Sequence, residues 1–423
     1  LSIGIIGLLA PLPAAARPPG EVERGVWRLD GIDPDLPLDD LAPLRPILEG
    51  AHVVGLGEKI HTSGGYYTMK HRLFRFLVEE MGFRAFAIES PWAPASAVGQ
   101  YVATCQGAPE TVVQNLFGVW RSQEVADLAR WMCAWNQAHP GDPVTFFGFD
   151  IQQPNADGPA LLQFLTDQGL AADDPVLAGL RQCDGVAAPS QRGRVTLESH
   201  EACHQALDAA ETILDAIDPG NPVQAPIQTP IQPSREAAEW AKVHHIGLRA
   251  WQDQAFYDGR DFPRSWNARD RGMATVFQRV RELLVGEAKT AIWAHNSHLA
   301  TTSALGSPLV PTGVHLRAEL GHQYAAIALV SAGVTVGGPG IGCGARPTYP
   351  ESVEWHLSAL GETALLVDLD ASGASQSHPP YLDPEEPRLV GYSWYLPGTA
   401  YDALVYIEQS PAMTPLPGFR FCP

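Results

Sequence analysis

The sequence predicts an α/β protein with a mainly parallel central sheet flanked by helices. A helical insertion is expected to form a lobe over the cleft at one end of that sheet. Three observations lead there. Short apolar runs bounded by Gly, Pro or charge recur along the chain, the pattern of strands buried on both faces. Amphipathic helical stretches lie between the first of these runs. A long middle segment carries helical patterns and no strong strand.

The strands expected in order are His52–Leu56, Ala85–Ile88, Val144–Phe149, Thr290–Ala294, Tyr324–Val330, Ala364–Leu369 and Ala403–Ile407. Between the first two, Tyr66 to Met81 sets Leu73, Phe76, Leu77 and Met81 on one helical face. Gln123 to Gln137 does the same with Val125, Leu128, Ala129, Met132 and Trp135. From Asn155 to about Trp266 the helices surround a Pro/Gln-rich tract, Asn221–Ser234, whose proline density forbids helix and favours extended chain. This segment reads either as a lid over the sheet or as a packing lobe with no part in the site. The glycine-rich stretch Val334–Gly344 reads as a hairpin or loop; it lacks the Lys-Ser/Thr ending of a phosphate loop. The division expected is 21–154 and 266–423 as two parts of one catalytic domain, with 155–265 inserted between them.

The N-terminus is apolar from Leu1 to Leu9 and rich in small residues and proline from Pro11 to Ala16. Residues 1–20 read as a signal-peptide remnant without its positive start, or else as an ordinary apolar tail. Export, periplasmic or extracellular, is the expectation. No other stretch is long enough to cross a bilayer. Six cysteines fit an oxidising compartment and include no Cys-x-x-Cys zinc pattern. Cys183 and Cys203 are the first pairing expected. Cys343 with Cys422 is a second, which leaves Cys105 and Cys133.

A net charge of −19 spread along the chain disfavours nucleic acid and anionic membranes as partners. A small-molecule ligand is the remaining expectation.

Three strands end on ionisable residues: Val53–Gly57 runs into Glu58 and His61, Phe86–Ile88 into Glu89, and Ala291–Ala294 into His295 and His298. In open α/β sheets chemistry sits at the carboxyl ends of the strands. Glu58 and His61, three apart, suit a general base held by a carboxylate; the plain alternative is a strand-end histidine capped by backbone. Glu89 needs a partner or a function, and an arginine such as Arg84 or Arg121 is the plain alternative. The same cluster is chemically able to hold a divalent metal, although no His-Glu-x-x-His signature is present. Arg269 and Asp270 either reach the site or pair at a helix start; Asp150 either lines the pocket or anchors a loop. No Gly-x-Ser-x-Gly elbow occurs and no cysteine accompanies the cluster, which leaves water activated by histidine.

Taken in order, these pieces resemble the erythromycin esterase family. Its carriers here are Gly57-Glu58-Lys59-Ile60-His61, Phe76–Phe83, Phe86-Ala87-Ile88-Glu89, Val119-Trp120-Arg121, Trp131, Trp135-Asn136, Phe147–Asp150, Arg269–Ala274, Trp293–His298 and Tyr401–Tyr406. The resemblance implies hydrolysis of an ester or lactone, in some members the macrolide ring, by water activated at His61, without metal or other cofactor. It implies catalytic roles for Glu58, Glu89, His295 and His298, with either carboxylate orienting His61 and His295 stabilising the oxyanion or protonating the leaving group. Lys70, Arg121, Asp150 and Arg269 are the expected substrate contacts. Thr62 stands where the family usually has glycine, and Lys70 where it often has arginine. A metallohydrolase using the same residues and a non-catalytic exported binding protein are the rival readings.

Overall fold

The computed structural model describes residues 20–217, 235–337, 343–369, 379–383 and 386–418. The expectations placed on residues 1–19, on 221–234 and on Cys422 lie outside them. The strands are β1 (Glu21–Glu23), β2 (Val26–Arg28), β3 (Val53–Leu56), β4 (Phe83–Pro91), β5 (Thr145–Asp150), β6 (Lys289–Trp293), β7 (Tyr324–Val336), β8 (Gly344–Pro347), β9 (Ala364–Asp368), β10 (Arg388–Val390), β11 (Ser393–Tyr395) and β12 (Ala403–Ser410).

Ten of the described strands form one sheet, ordered β1-β2-β9-β12-β7-β3-β6-β4-β5, with β8 pairing β7 at its far end. The six from β12 to β5 are mutually parallel. β9 runs antiparallel to β12, and β2 and β1 continue that edge. β10 and β11 make a separate hairpin. The glycine-rich stretch joins β7 to β8, which pair antiparallel through Gly333↔Pro347 and Val336↔Gly344; 338–342 lie outside the described residues.

Strand β6 comes from beyond the insertion yet fits between β3 and β4, pairing Val53 with Thr290 on one side and Ala85 with Thr290 on the other. The carboxyl ends of β3, β6, β4 and β5 therefore stand side by side.

Strand parity divides the core. Val54, Leu56, Phe86, Ile88, Ala291 and Trp293 pack with Phe74, Leu77, Leu128 and Met132 of the helices Gly64–Met81 and Gln123–Ala138. Val53, Ala85, Ala87, Ile292 and Ala294 pack on the other face with Met273, Val276, Phe277 and Val280 of the helix Phe262–Val285. Side chains two apart share a face of a strand. Glu58 thus continues the first face, and Glu89 the second.

No strand occurs among the described residues of 155–265. The helices Pro154–Asp167, Pro175–Leu180, Leu197–Ala216 and Arg235–Tyr257 bury a small core of their own, with Leu161, Leu165, Leu177, Leu180, Leu207 and Leu214 at its centre. Helix Phe262–Val285 runs unbroken through the 265/266 boundary expected from the sequence. It starts against the lobe and ends beneath the sheet, so the lobe and the catalytic domain share a rigid element.

The Cys183–Cys203 disulfide is present within the lobe. Cys105 and Cys133 form a second one, tying the end of helix Trp92–Thr104 to helix Gln123–Ala138. No described helix is long and apolar enough to cross a membrane.

Replacing Cys183 and Cys203 by serine reopens a loop of 20 residues' separation, and chain entropy puts the expected loss at about 3 kcal/mol. Hydrogen exchange on the double variant should show lobe amides opening more readily while amides of β3 and β6 keep their protection. Equal protection in the lobe would contradict this.

Candidate active site

Glu58 is engaged by three side chains at the rim of the sheet. It is fully buried. Its Oε1 is 2.6 Å from Nδ1 of His61. Its Oε2 accepts from Lys70 Nζ at 2.7 Å and from Trp293 Nε1 at 2.9 Å. Both donors come from the face that strand parity predicts: Trp293 ends β6 and Lys70 lies on helix Gly64–Met81. Lys70 also sits 4.5 Å from the centre of the Trp293 ring. Burial pushes the Lys70 ammonium down to about 8, against the pull of Glu58.

This arrangement fixes His61. A carboxylate can only accept, so Nδ1 carries the proton in the neutral ring and Nε2 keeps a free lone pair. Nε2 makes no hydrogen bond among the described residues, and the side chain keeps 23% of its surface exposed. The ring stands edge-on to Trp120 at 5.0 Å and to His295 at 5.4 Å. Burial is the largest single influence on this imidazole and lowers its pKa. The hydrogen bond to Glu58 and the charges of Glu89 and Glu58 outweigh it, and the net pKa is raised above 6.5.

The loop beyond His61 is held under strain. Thr62, where the family resemblance expects glycine, has a left-handed φ of 66°, which costs a non-glycine residue roughly 1–2 kcal/mol. Three hydrogen bonds retain it: its N–H donates to Tyr67 Oη at 2.7 Å, its carbonyl accepts from Met413 N at 3.0 Å, and its hydroxyl accepts from Gly337 N at 3.2 Å. Tyr67 in turn donates to Val119 O at 2.8 Å and so ties this loop to the one carrying Trp120. Gly57 has a different reason for lacking a side chain: a Cβ there would lie 2.0 Å from Oδ1 of Asn296.

Glu89 sits on the opposite face. Arg269 Nη2 donates to its Oε1 at 2.6 Å, and the backbone N–H of His295 donates to its Oε2 at 3.0 Å. Burial would raise this carboxyl, but the charges of His298, His61 and Arg269 hold it well below the usual carboxylate range. Arg269 also donates to Asp150, and from Nη1 to His298 Nε2 at 2.9 Å. An arginine donates only, so Nε2 of His298 accepts and its Nδ1–H points to Asp270 Oδ1, 2.8 Å away. Trp266 lies flat on His298 at 4.6 Å.

His295 spends both ring nitrogens inside the protein. Nε2 donates to Lys59 O at 2.7 Å, and Nδ1 accepts from Ser297 N at 3.1 Å with the Ser297 hydroxyl at 2.8 Å. Burial, then the charges of His61 and His298, lower its pKa to about 3, and the ring is neutral.

A cleft of about 410 Å³ opens between these groups. It is lined by His61, Glu89, Arg269, His295 and His298 together with Phe117, Val119, Trp120, Gln152, Trp266 and Ser297. The five residues expected to carry chemistry are thus brought together, with Glu58 just behind His61. Three expected substrate contacts do not line the cleft. Lys70 is sealed beneath Glu58. Asp150 is buried against Arg269. Arg121 turns away and donates from Nε to Leu116 O at 3.0 Å. Arg269 alone of the four reaches it. Glu89 is paired with Arg269 rather than with Arg84 or Arg121; Arg84 binds Asp142. None of the described residues of 155–265 lines the cleft; the lobe's contribution is helix Phe262–Val285, which brings Trp266 and Arg269.

Trp293, Trp266 and Tyr67 are not singled out as functional by the sequence, and Asp270 only as a residue that either reaches the site or pairs at a helix start. Trp293 had a usable signal, since its parity with Leu56 and Ile88 puts it on the face of Glu58. The other three come from helices, where spacing alone does not reveal the partner.

Lys70→Met leaves the buried Glu58 charge without its cation. The expected cost is about 3–5 kcal/mol of unfolding free energy, measured by denaturant titration. A loss below about 1 kcal/mol would show that the pair does not hold the site together.

Comparison with known proteins bears on the family and the fold. The sequence model of the family described as Erythromycin esterase matches residues 78–410. That stretch contains Glu89, Asp150, Arg269, His295 and His298 and begins after Glu58, His61 and Lys70. Erythromycin esterase type II of Escherichia coli is 23% identical over 309 residues, 70% of this chain and 73% of that protein. The putative hydrolase YbfO of Bacillus subtilis (strain 168) is 26% identical over 273 residues, 62% of this chain and 59% of that protein. The solved structure of a mutant of erythromycin esterase EreC in its open conformation has the same fold, with a TM-score of 0.70 at 20% identity, over 90% of this chain and 96% of its own. With the family model spanning most of its length, the chain belongs to the erythromycin esterase family.

Proposed function

We propose that the protein hydrolyses carboxylic esters or lactones by water activated at His61. Membership of the family supports a hydrolase. The observation that carries the finer reading is the Glu58–His61 contact of 2.6 Å, which leaves a free imidazole nitrogen on a cleft.

In this reading Nε2 of His61 takes a proton from water as the oxygen attacks the ester carbonyl. Glu58 stabilises the imidazolium that forms, as the carboxylate of a triad does. The carbonyl electrons move to an oxyanion facing Arg269, the one fixed cation on the cleft wall among the described residues. On collapse the carbon–oxygen bond to the leaving group breaks, and the proton on Nε2 passes to the departing alkoxide. His295 and His298 act by position. His295 holds the Lys59 carbonyl and the Glu89 carboxylate, and His298 steadies the Arg269 guanidinium.

The metallohydrolase alternative has less support. Glu58 is saturated with donors, both nitrogens of His295 are engaged, and Nε2 of His298 accepts from Arg269. A metal in the cleft would have to break several of these bonds. Chelation that abolishes turnover, with restoration by one metal, would favour it. A binding protein without turnover would keep its affinity in His61→Ala. Two disulfides among the described residues fit export to an oxidising compartment.

A screen of esters and lactones, macrolides included, provides the assay. His61→Ala should lower kcat by roughly 10²–10⁴-fold with unchanged circular dichroism; activity within a few-fold of the parent would overturn the assignment.

A base works when unprotonated, so the rise of kcat/KM with pH should be centred above 6.5, where the raised His61 pKa lies. Glu58→Gln removes the charge that helps raise it and leaves only a weaker, neutral amide acceptor. That limb should then move to lower pH while the rate falls. A limb that stays in place would mean that another group titrates.

A further inference from the structure

We propose that His200, His204 and Asp253 form a binding site for a transition-metal dication, Zn²⁺ being the best match, in the helical lobe. The site shares no residue with the cleft and does not depend on the hydrolase reading.

His200 and His204 lie one turn apart on helix Leu197–Ala216, so both rings emerge on one face. A capping box of Thr196 and Ser199 fixes the start of that helix, and its Ser199 is the residue before His200. Asp253 faces them from helix Arg235–Tyr257. Its Oδ1 is 3.1 Å from His204 Nε2 and 3.7 Å from His200 Nε2. One ligand atom from each of the three lies within 4.8 Å of the others. Ligands bound tetrahedrally at about 2.0–2.2 Å stand roughly 3.3–3.6 Å apart, which these separations bracket.

Two features point to a ligand rather than to a simple ion pair. His204 Nε2 is buried and has no hydrogen-bond partner among the described residues, although a carboxylate oxygen is near; the two are not aligned as donor and acceptor. The His200 ring is held flat on Phe256 at 4.2 Å and 9°, which orients it toward the same point. Side-chain exposures of 14%, 23% and 37% for His200, His204 and Asp253 leave a path for entry. Two imidazoles and one carboxylate suit zinc, cobalt, nickel or copper rather than magnesium or calcium. Three protein ligands leave a fourth position for water.

Arg249 opposes the site. Its Nη1 is 3.4 Å from Nδ1 of His204, and a metal on Nε2 would leave Nδ1 protonated, donor against donor. That contact is already long. Asp208 and Glu211 are both in reach of the same guanidinium and can take it over. The metal would join the two helices that flank segment 218–234. Cys203, next to His204, holds the disulfide to Cys183, so both staples would act on one helix.

The test uses the full chain stripped with chelator, then titrated with Zn²⁺ by calorimetry and with Co²⁺ by visible absorption. One equivalent should bind, and His61→Ala should bind it equally. His204→Ala and Asp253→Asn should each weaken it by about 100-fold or more, since even residues behind the ligands are worth 10–100-fold. At a hundredfold excess over Kd, zinc should raise Tm by about 2–4 °C in the parent and not in these variants. Arg249→Gln should tighten binding. His200→Gln and His204→Gln serve as second variants should either first one fail to fold. No binding by the parent overturns the proposal, as does equal binding in the ligand variants. Loss in His61→Ala alone would put the metal in the cleft and overturn it too.

Discussion

A buried carboxylate with three donors is the constraint on which the site depends. Glu58 lies where water cannot solvate it, and an uncompensated charge there would cost several kcal/mol. Lys70 supplies the countercharge, Trp293 a neutral donor, and His61 the third bond. Because Lys70 and Trp293 already hold the carboxylate still, the imidazole bound to it is held still as well. The tautomer and direction of His61 follow from that. A second carboxylate, Glu89, does the equivalent work on the other face of the sheet with Arg269. The cleft lies between the two sets, with one imidazole lone pair facing it.

The topology makes this possible. β3 and β4 are consecutive along the chain but are parted by β6, which arrives only after the lobe. Trp293 and His295 therefore enter between the strands that deliver Glu58 and Glu89. The fit is close: Asn296 donates its backbone N–H to Glu58 O at 2.8 Å, and its side chain occupies the space that Gly57 leaves open. The strained Thr62 loop is a cost borne at the same place and met by hydrogen bonds to Tyr67 and from Met413 and Gly337.

Much of this was legible in the sequence. Apolar runs ending on Glu58, Glu89 and His295 marked β3, β4 and β6 to within about two residues at most ends, because strands buried on both faces leave a continuous signal. β7 is longer than expected, since its end pairs with β8, a partnership that periodicity does not register. The edge strands β1 and β2 are three residues each, too short for a pattern. The order of strands was not legible, and hence neither was the insertion of β6. The roles given to Lys70, Asp150 and Arg121 erred for one physical reason. From sequence alone a charged residue near a motif reads as facing solvent or substrate, whereas buried carboxylates such as Glu58 need buried countercharges. Strand parity would have paired Glu58 with Trp293; nothing local would have paired Asp270 with His298.

The central claim concerns one ring, and nitrogen NMR of histidine-labelled protein reads it directly. The neutral His61 ring should carry its proton on Nδ1 and leave Nε2 bare, with a midpoint for protonation above 6.5 that drops in Glu58→Gln. A ring protonated on Nε2, or one that titrates at or below 6.5 and ignores the loss of Glu58, would contradict the account.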